Sequence, residues 1–343
     1  MSTTDTDPNT DQRARVIDLI TGCWSTQVIH VAVRLKVFDL LAQEPRAAND
    51  VAAETGSDPG AFLRLMRALA SLGLARHLPG DRFELTEAGQ LLRGDAPGSI
   101  RGMALHWGER LWGALSQLDQ SIQTGKPWSI SGLDGFETMA RDPQQMAMFH
   151  QSMADQTGPM AAALLGAYDF RKFGTLMDVG GSYGALLAAI LKAHPDLTGR
   201  VFDLPGLAEA SSAYLAHAGV ADRAAFLGGS FFEAIPDGAD AYMLKSIIHD
   251  WRDEPSVGIL TNCRKAAGKA GRVLVIERIA PAQVEAGPEQ LPTIRGDILM
   301  LTANGGIERT EAQYRDLLAL AGLKLESVTP TTSGFSVMET VAV

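Results

Sequence analysis

Cysteine is nearly missing: Cys23 and Cys263 are the only two in 343 residues. They lie far apart without metal-ligand spacing, as expected of a chain kept in a reducing compartment, and a cytoplasmic location follows. A positive balance is missing too. Lys and Arg number 30 against 40 Asp and Glu, a formal charge of −10, so the surface field repels phosphate backbones and anionic lipid, and neither nucleic acid nor a membrane is an expected partner. Residues 1–12, MSTTDTDPNTDQ, lack a basic n-region and an apolar h-region and read as a disordered terminus, not an export signal. The apolar stretch from Val16 to Leu41 is interrupted by Asp18, Gln27, Arg34, Lys36 and Asp39; it fails the test for a membrane span and reads as helices buried in protein. No internal repeat is present.

What the chain does have is core material. Hydrophobic residues make up 46% and charged residues 20%, and the length exceeds one ordinary core of about 100 to 200 residues, so two folded units are expected. Residues 13–100 carry helical punctuation: LKVFDLLA, then NDVAAETG with Asn49 or Asp50 as cap, then a helix opened by Asp58-Pro59. ARHLPGDRFELT follows, two extended runs around Pro79-Gly80-Asp81, which makes the wing of a winged-helix unit. Such units often bind DNA, but here the basic side chains from Arg34 to Arg93 are matched by acids from Asp39 to Asp95, leaving no positive footprint. Val28, Ile29, Val31, Val33, Leu35, Val37 and Phe38 instead suggest burial against a second copy, a homodimer, with the chain's own second domain as the alternative cover.

Residues 101–165 are rich in Met, Trp and Phe (MALHWGERLWGAL, PWSISGLDGFETM, QQMAMFHQSMADQTGPM). This pattern suits a helical connector lining a pocket for a planar ligand, although plain core shows the same stripe. Over 166–343 the rhythm becomes strand, helix, strand: TLMDVGG, ALLAAILKAHP, GRVFDLP, AYMLKSIIHD, GRVLVIERI. Short apolar strands separated by helices predict an α/β, Rossmann-like, mostly parallel sheet. LKLESVTPT and FSVMETVAV, around Thr332-Ser333-Gly334, add a C-terminal antiparallel hairpin.

The first strand ends in Asp178-Val179-Gly180-Gly181-Ser182-Tyr183-Gly184 and a helix follows. Glycines there let a ligand lie on bare backbone at a helix start. The second strand ends in Val201-Phe202-Asp203, where an acid can accept both hydroxyls of a ribose, and Leu204-Pro205 favours a ligand-facing turn. The glycine order is not the G-x-G-x-x-G of a pyrophosphate site and no second phosphate loop follows, which favours a sulfonium cofactor over nicotinamide.

With these motifs in this order, together with Gly229-Ser230-Phe231-Phe232, Leu244 through Trp251 (LKSIIHDW) and Gly305 through Thr310 (GGIERT), the sequence resembles the plant-type and bacterial small-molecule O-methyltransferases over nearly its whole length. The resemblance implies a class I methyltransferase domain behind an N-terminal winged-helix dimerisation domain, with S-adenosylmethionine as cofactor, S-adenosylhomocysteine as its product, and no metal. It implies that Gly180-Gly181, with Asp178, holds the methionine part, Asp203 and Leu204 the ribose, that Phe231 packs on adenine beside Ser230, and that Lys245 lies alongside. Two places depart from the family pattern: Ser230 stands where Asp is common, and Ser182-Tyr183 where Gly-Thr is usual.

His249 follows the strand AYMLKSII, at the sheet end where α/β folds place their chemistry. A phenol with a pKa of about 10 is a poor nucleophile when neutral, and an imidazole can take its proton as the oxygen attacks a methyl group. Glu277 follows RVLVI and Glu308 sits in GGIERT; the resemblance has these acids flank the base, where a carboxylate on one ring N–H fixes the tautomer. Glu308 alternatively pairs with Arg309 or caps the following helix. The cluster His249, Asp250, Asp253 and Glu254 is not read as a metal site, because Asp253 and Glu254 read as the capped start of a helix. Resemblance and composition assign the acceptor pocket to Phe149, Met153, Trp251, Met300 and Asn304, and the acceptor to a small aromatic, polycyclic secondary metabolite such as a phenazine or a polyketide. Competing readings are a carboxylate or N-hydroxyl acceptor, a hydroxylase or decarboxylase on the same fold, and a winged-helix DNA-binding regulator.

Overall fold

A computed structural model describes residues 8–128 and 142–343. The disordered terminus expected over residues 1–12 lies outside the described residues as far as residue 7; from Pro8 the chain is helical. The aromatic-rich run over 129–141 also lies outside them. The chain divides into two compact units, up to Trp112 and from Gly113, so the stretch expected to be one connector, 101–165, is shared between the two.

In the first unit the helices Pro8–Thr21 and Cys23–Arg34 precede Val37–Leu40, Ala48–Glu54 and Pro59–Ser71. The last opens as expected, with Asp58 accepting the amide of Ala61 at 2.8 Å. The preceding helix does not: it begins at Ala48, with Ala47 at the cap and Asn49 and Asp50 already inside it. The reason is a strand absent from the expectation. β1 (Arg46–Ala47) pairs with a later strand, Arg82–Leu85, and the amide of Ala48 donates to Asp81 O at 3.0 Å, so main chain replaces the side-chain cap. β2 (Ala75–Leu78) and β3 (Arg82–Leu85) form the predicted hairpin around Pro79–Asp81, in the order β1-β3-β2.

Apolar burial in this unit differs from the expectation. Val33, Val37 and Phe38 are buried in the unit's own core, with Val28, Ile29 and Leu35 packed against it. Val31 stays exposed, and the uncovered apolar surface lies mainly farther toward the N-terminus, at Val16, Ile17, Leu19, Ile20 and Trp24. Contrary to the sequence expectation, residues 11–34 are long and apolar enough to cross a membrane by length and composition, and only 17% of their apolar window is buried.

The second unit holds a seven-stranded sheet made of β4 (Thr175–Val179), β5 (Thr198–Asp203), β6 (Ala224–Gly228), β7 (Ala241–Lys245), β8 (Arg272–Arg278), β9 (Leu323–Pro330) and β10 (Phe335–Ala342). Their order is β6-β5-β4-β7-β8-β10-β9. β4 to β8 are parallel, and β10 is antiparallel to both β8 and β9. Core lies on both faces. Leu187, Ile190 and Leu191 of the Ala185–Ala193 helix fill one, with Leu164 from the long Pro143–Ala167 helix; Ile259, Leu260, Leu317 and Leu318, from the Asp253–Ala267 and Glu311–Leu320 helices, fill the other. The chain order reverses at β4, between β5 and β7, and the carboxyl ends of those strands open a crevice where such sheets bind ligands.

Candidate active site

A cavity of about 450 Å³ opens at that edge, with mostly apolar walls. Its lining contains every residue expected to hold the cofactor: Asp178, Gly180, Gly181, Asp203, Leu204, Ser230, Phe231 and Lys245. Phe149, Met153 and Trp251 of the expected acceptor wall line it as well. Met300 and Asn304 do not. Met300 is buried and its carbonyl accepts the amides of Asn304, Gly305 and Gly306, while the side-chain amide of Asn304 donates to Asp250 Oδ1 at 2.8 Å.

The β4 loop is built for close approach. A Cβ at Gly181 would stand 2.7 Å from the Asp178 carboxyl carbon, and one at Gly180 would stand 2.4 Å from Ile247, so bare main chain forms this wall. Asp178 is buried, and its Oδ2 has no hydrogen-bond partner among the described residues. Burial raises its pKa to about 7 despite the charge of nearby Lys245, whose own pKa burial pushes down. Asp203 accepts the amides of Leu204 and Ser182, each at 2.7 Å, on different oxygens, and lone pairs remain for a ligand hydroxyl. Ser182 and Ser246, both non-glycine residues at positive φ, line the cavity, in keeping with strain concentrated at a site. An orphaned carboxylate oxygen, a cradle without side chains and an acid with free lone pairs fit a nucleoside sulfonium.

His249 lies in a 3-10 turn after β7; like Glu277 and Glu308 it is not among the residues that line the cavity, whereas its neighbour Asp250 is. Its Nδ1 is 2.8 Å from Glu308 Oε1, so the ring N–H sits on that nitrogen and donates to the carboxylate. Glu277, expected to share this task, acts on the backbone instead. Its Oε1 accepts the amides of Ile247, Ile248 and His249 at 3.0, 2.9 and 3.3 Å, and Oε2 stands 3.7 Å from Nδ1. On the other side of the ring Asp250 Oδ1 is 3.7 Å from Nε2. Burial alone would lower the pKa of His249, but Glu277, Asp250 and Glu308 outweigh it and hold the imidazole well above its ordinary value.

Donor atoms of His249, Glu277 and Glu308 lie within 4.8 Å of one another, a spacing that could hold an ion. This set shares only His249 with the cluster His249, Asp250, Asp253 and Glu254 that stands out in the sequence. Main-chain amides meet Glu277 Oε1 and the ring N–H meets Glu308 Oε1, while Oε2 of each carboxylate is buried without a hydrogen-bond partner among the described residues.

Three residues that sequence reasoning misses or misreads complete the site. Asp250 enters the sequence reading only as a possible metal ligand, yet it lines the cavity. Arg309, expected as a partner for Glu308, is instead 1% exposed and clamps the His249 turn, donating to Ile248 O, Trp251 O and Asp253 Oδ1 at 3.1, 2.8 and 2.8 Å. Asp253 is therefore spent on Arg309 and caps nothing; Thr310, not Glu308, caps the Glu311–Leu320 helix. Gly306 fixes the loop: a Cβ there would meet His249 O at 2.0 Å, and the next amide, Ile307, donates to that oxygen at 2.8 Å.

Residues 115–324 match the model of the O-methyltransferase domain, and residues 17–95 that of the O-methyltransferase dimerisation domain. The chain is 36% identical to a phenazine O-methyltransferase of Lysobacter antibioticus over 94% of each protein. It is 39% identical to the O-demethylpuromycin-O-methyltransferase of Streptomyces alboniger, over 96% of this chain and 89% of that one. Among solved structures it is similar to an O-methyltransferase of neocarzinostatin biosynthesis in complex with S-adenosylmethionine and 2-hydroxy-5-methyl naphthoic acid, with a TM-score of 0.76 and 35% identity over 93% of this chain and 96% of that one. The strand order, the cradle and these matches agree: the chain belongs to the family of S-adenosylmethionine-dependent O-methyltransferases, with a class I methyltransferase domain and an N-terminal dimerisation domain.

Proposed function

We propose that the chain methylates a hydroxyl of a small polycyclic aromatic acceptor, in the cytoplasm and as a homodimer, with His249 as the general base. The observation that carries the base is the pairing of its Nδ1 with Glu308 at 2.8 Å, which leaves Nε2 as the basic nitrogen. S-adenosylmethionine, when bound, supplies an electrophilic methyl group on sulfur. Gly180, Gly181, Asp178 and Lys245 would hold its methionine end, Asp203 and Leu204 the ribose, and Phe231 with Ser230 the adenine. Phe149, Met153 and Trp251 offer flat apolar contacts to the acceptor ring.

With the cofactor held there, the acceptor oxygen would take the methyl group as its bond to sulfur breaks and S-adenosylhomocysteine is left, while His249 Nε2 takes the hydroxyl proton. The resulting imidazolium is stabilised by Glu277, Asp250 and Glu308, the three carboxylates that raise its pKa. The mechanism assigns no role to a metal. The polycyclic scaffold is supported by the similar proteins whose names carry a phenazine and a naphthoic acid.

The pH dependence has a definite sign. The base works only when neutral, and a raised pKa leaves mainly imidazolium at neutral pH, so kcat/KM is expected to rise with pH by about tenfold per unit below that pKa. Glu308→Gln removes one of the carboxylates holding it up. The rising limb should then move to lower pH while the plateau falls, as a pH–rate profile of both proteins would show; a limb that stays in place would take the pKa-setting role away from Glu308.

The dimer is carried by the apolar face of the first unit, where Leu19 is 74% and Ile20 is 70% exposed, within a match to a dimerisation domain. Sedimentation at micromolar concentration should return a dimer, and Leu19→Glu with Ile20→Glu should return a monomer. A wild-type monomer would remove the proposal.

A further inference from the structure

The Pro143–Ala167 helix reaches the cofactor loop through a side chain that the chemistry above does not use. His150 is buried, lines the cavity, and places Nδ1 2.7 Å from Ser182 Oγ. Its other nitrogen, Nε2, is buried without a partner among the described residues. Tyr183 packs a tilted ring against it at 5.4 Å, and Phe149 an edge at 5.3 Å.

Ser182 is an unusual residue to find at the other end of this bond. Its φ is 55°, the left-handed region in which glycine rests without cost and a side chain does not. Its amide donates to Asp203 Oδ2 at 2.7 Å. One residue is thus tied on both sides, by its hydroxyl to the helix and by its amide to the acid at the end of β5. With glycine at 182 the loop could adopt this turn, but no hydroxyl would reach the helix.

We propose that His150, acting through Ser182, is a positioning residue that holds the cofactor loop in its binding conformation and so sets cofactor affinity. The hydrogen bond offsets the left-handed strain at Ser182, keeps its amide aimed at Asp203, and ties both to the helix that carries Phe149 and Met153. The imidazole acts uncharged, because burial disfavours its cation and lowers its pKa to about 4. It takes no proton from the acceptor.

A double-variant cycle tests this, with S-adenosylhomocysteine as the probe and titration calorimetry as the readout. His150→Ala and Ser182→Ala should each weaken binding about fivefold to tenfold, the worth of one hydrogen bond. The double variant should be no worse than the weaker-binding single, since both remove the same contact. His150→Asn, which keeps a polar atom at the place of Nδ1, should bind nearly as well as wild type, a rescue that loss of packing alone would not give. In turnover the KM for S-adenosylmethionine should rise by more than kcat falls. Wild-type affinity in Ser182→Ala, or effects that multiply in the double variant, would overturn the proposal. Should His150→Ala fail to fold, Ser182→Ala and His150→Asn carry the test: weakened binding in the first with near-normal binding in the second supports it, and the reverse overturns it.

Discussion

Replacing His249 with alanine should lower kcat by at least about 100-fold, the usual loss when a positioned base is removed. A neutral phenol then has no side chain to take its proton, while its alignment with the methyl donor is unchanged. Binding of S-adenosylhomocysteine should persist, because the cofactor cradle of Gly180, Gly181 and Asp203 is built without His249. The two buried acids left behind, Glu277 and Glu308, lose a cationic neighbour, and Glu277 already has its pKa pushed up by burial, so it can meet the change by holding a proton. Single-turnover rates beside calorimetric binding separate these effects. A loss of only a few fold, with binding intact, would mean that the acceptor ionises unaided, as a carboxylate or N-hydroxyl group does, and would end the phenol reading.

Asp203→Ala should weaken S-adenosylhomocysteine binding by roughly 100-fold or more, since hydrogen bonds from two ribose hydroxyls to a carboxylate would be lost together. The same substitution frees the amides of Ser182 and Leu204, so the loop loses its anchor along with the ligand contact. Asp203→Asn keeps one acceptor oxygen and should fall between the two. Titration of the three proteins decides the matter: unchanged affinity in the alanine variant would remove the ribose role from Asp203.

The α/β unit is readable in the sequence because its central strands are short continuous apolar runs, buried on both faces, set between helices and turns. β6 is not. AAFLG is alanine-rich, lies at the sheet edge and is only partly buried, so no hydrophobic signal marks it. Asn49 and Asp50 look like caps because capping is judged locally, whereas β1 places the helix start through pairing with a strand far along the chain. The exposed face of the first unit is misplaced for a similar reason: periodicity says which residues are apolar, not which of them the unit's own core has already covered.

In the site, the cofactor cradle is legible because a strand, a glycine turn and an acid follow one another closely in sequence. The pairing of His249 with Glu308 follows from the family resemblance. What escapes is assembled in three dimensions: Glu277 holding three amides, Arg309 spanning the turn, and His150 reaching Ser182. Met300 and Asn304 lie outside the cavity wall, and Asn304 turns its amide to Asp250, which apolar or amide character alone does not reveal.

The contact at Gly306 has a bearing on how such a chain changes over generations. The segment carrying Glu308 rests on the carbonyl of His249 with no room for a methyl group between them. The distance from base to acid is therefore a property of two abutting backbones. Phe149 and Met153 sit on a separate helix and take no part in that contact. Substitutions at Phe149 and Met153 can therefore change the cavity wall without altering the backbone contact that sets the spacing of His249 and Glu308.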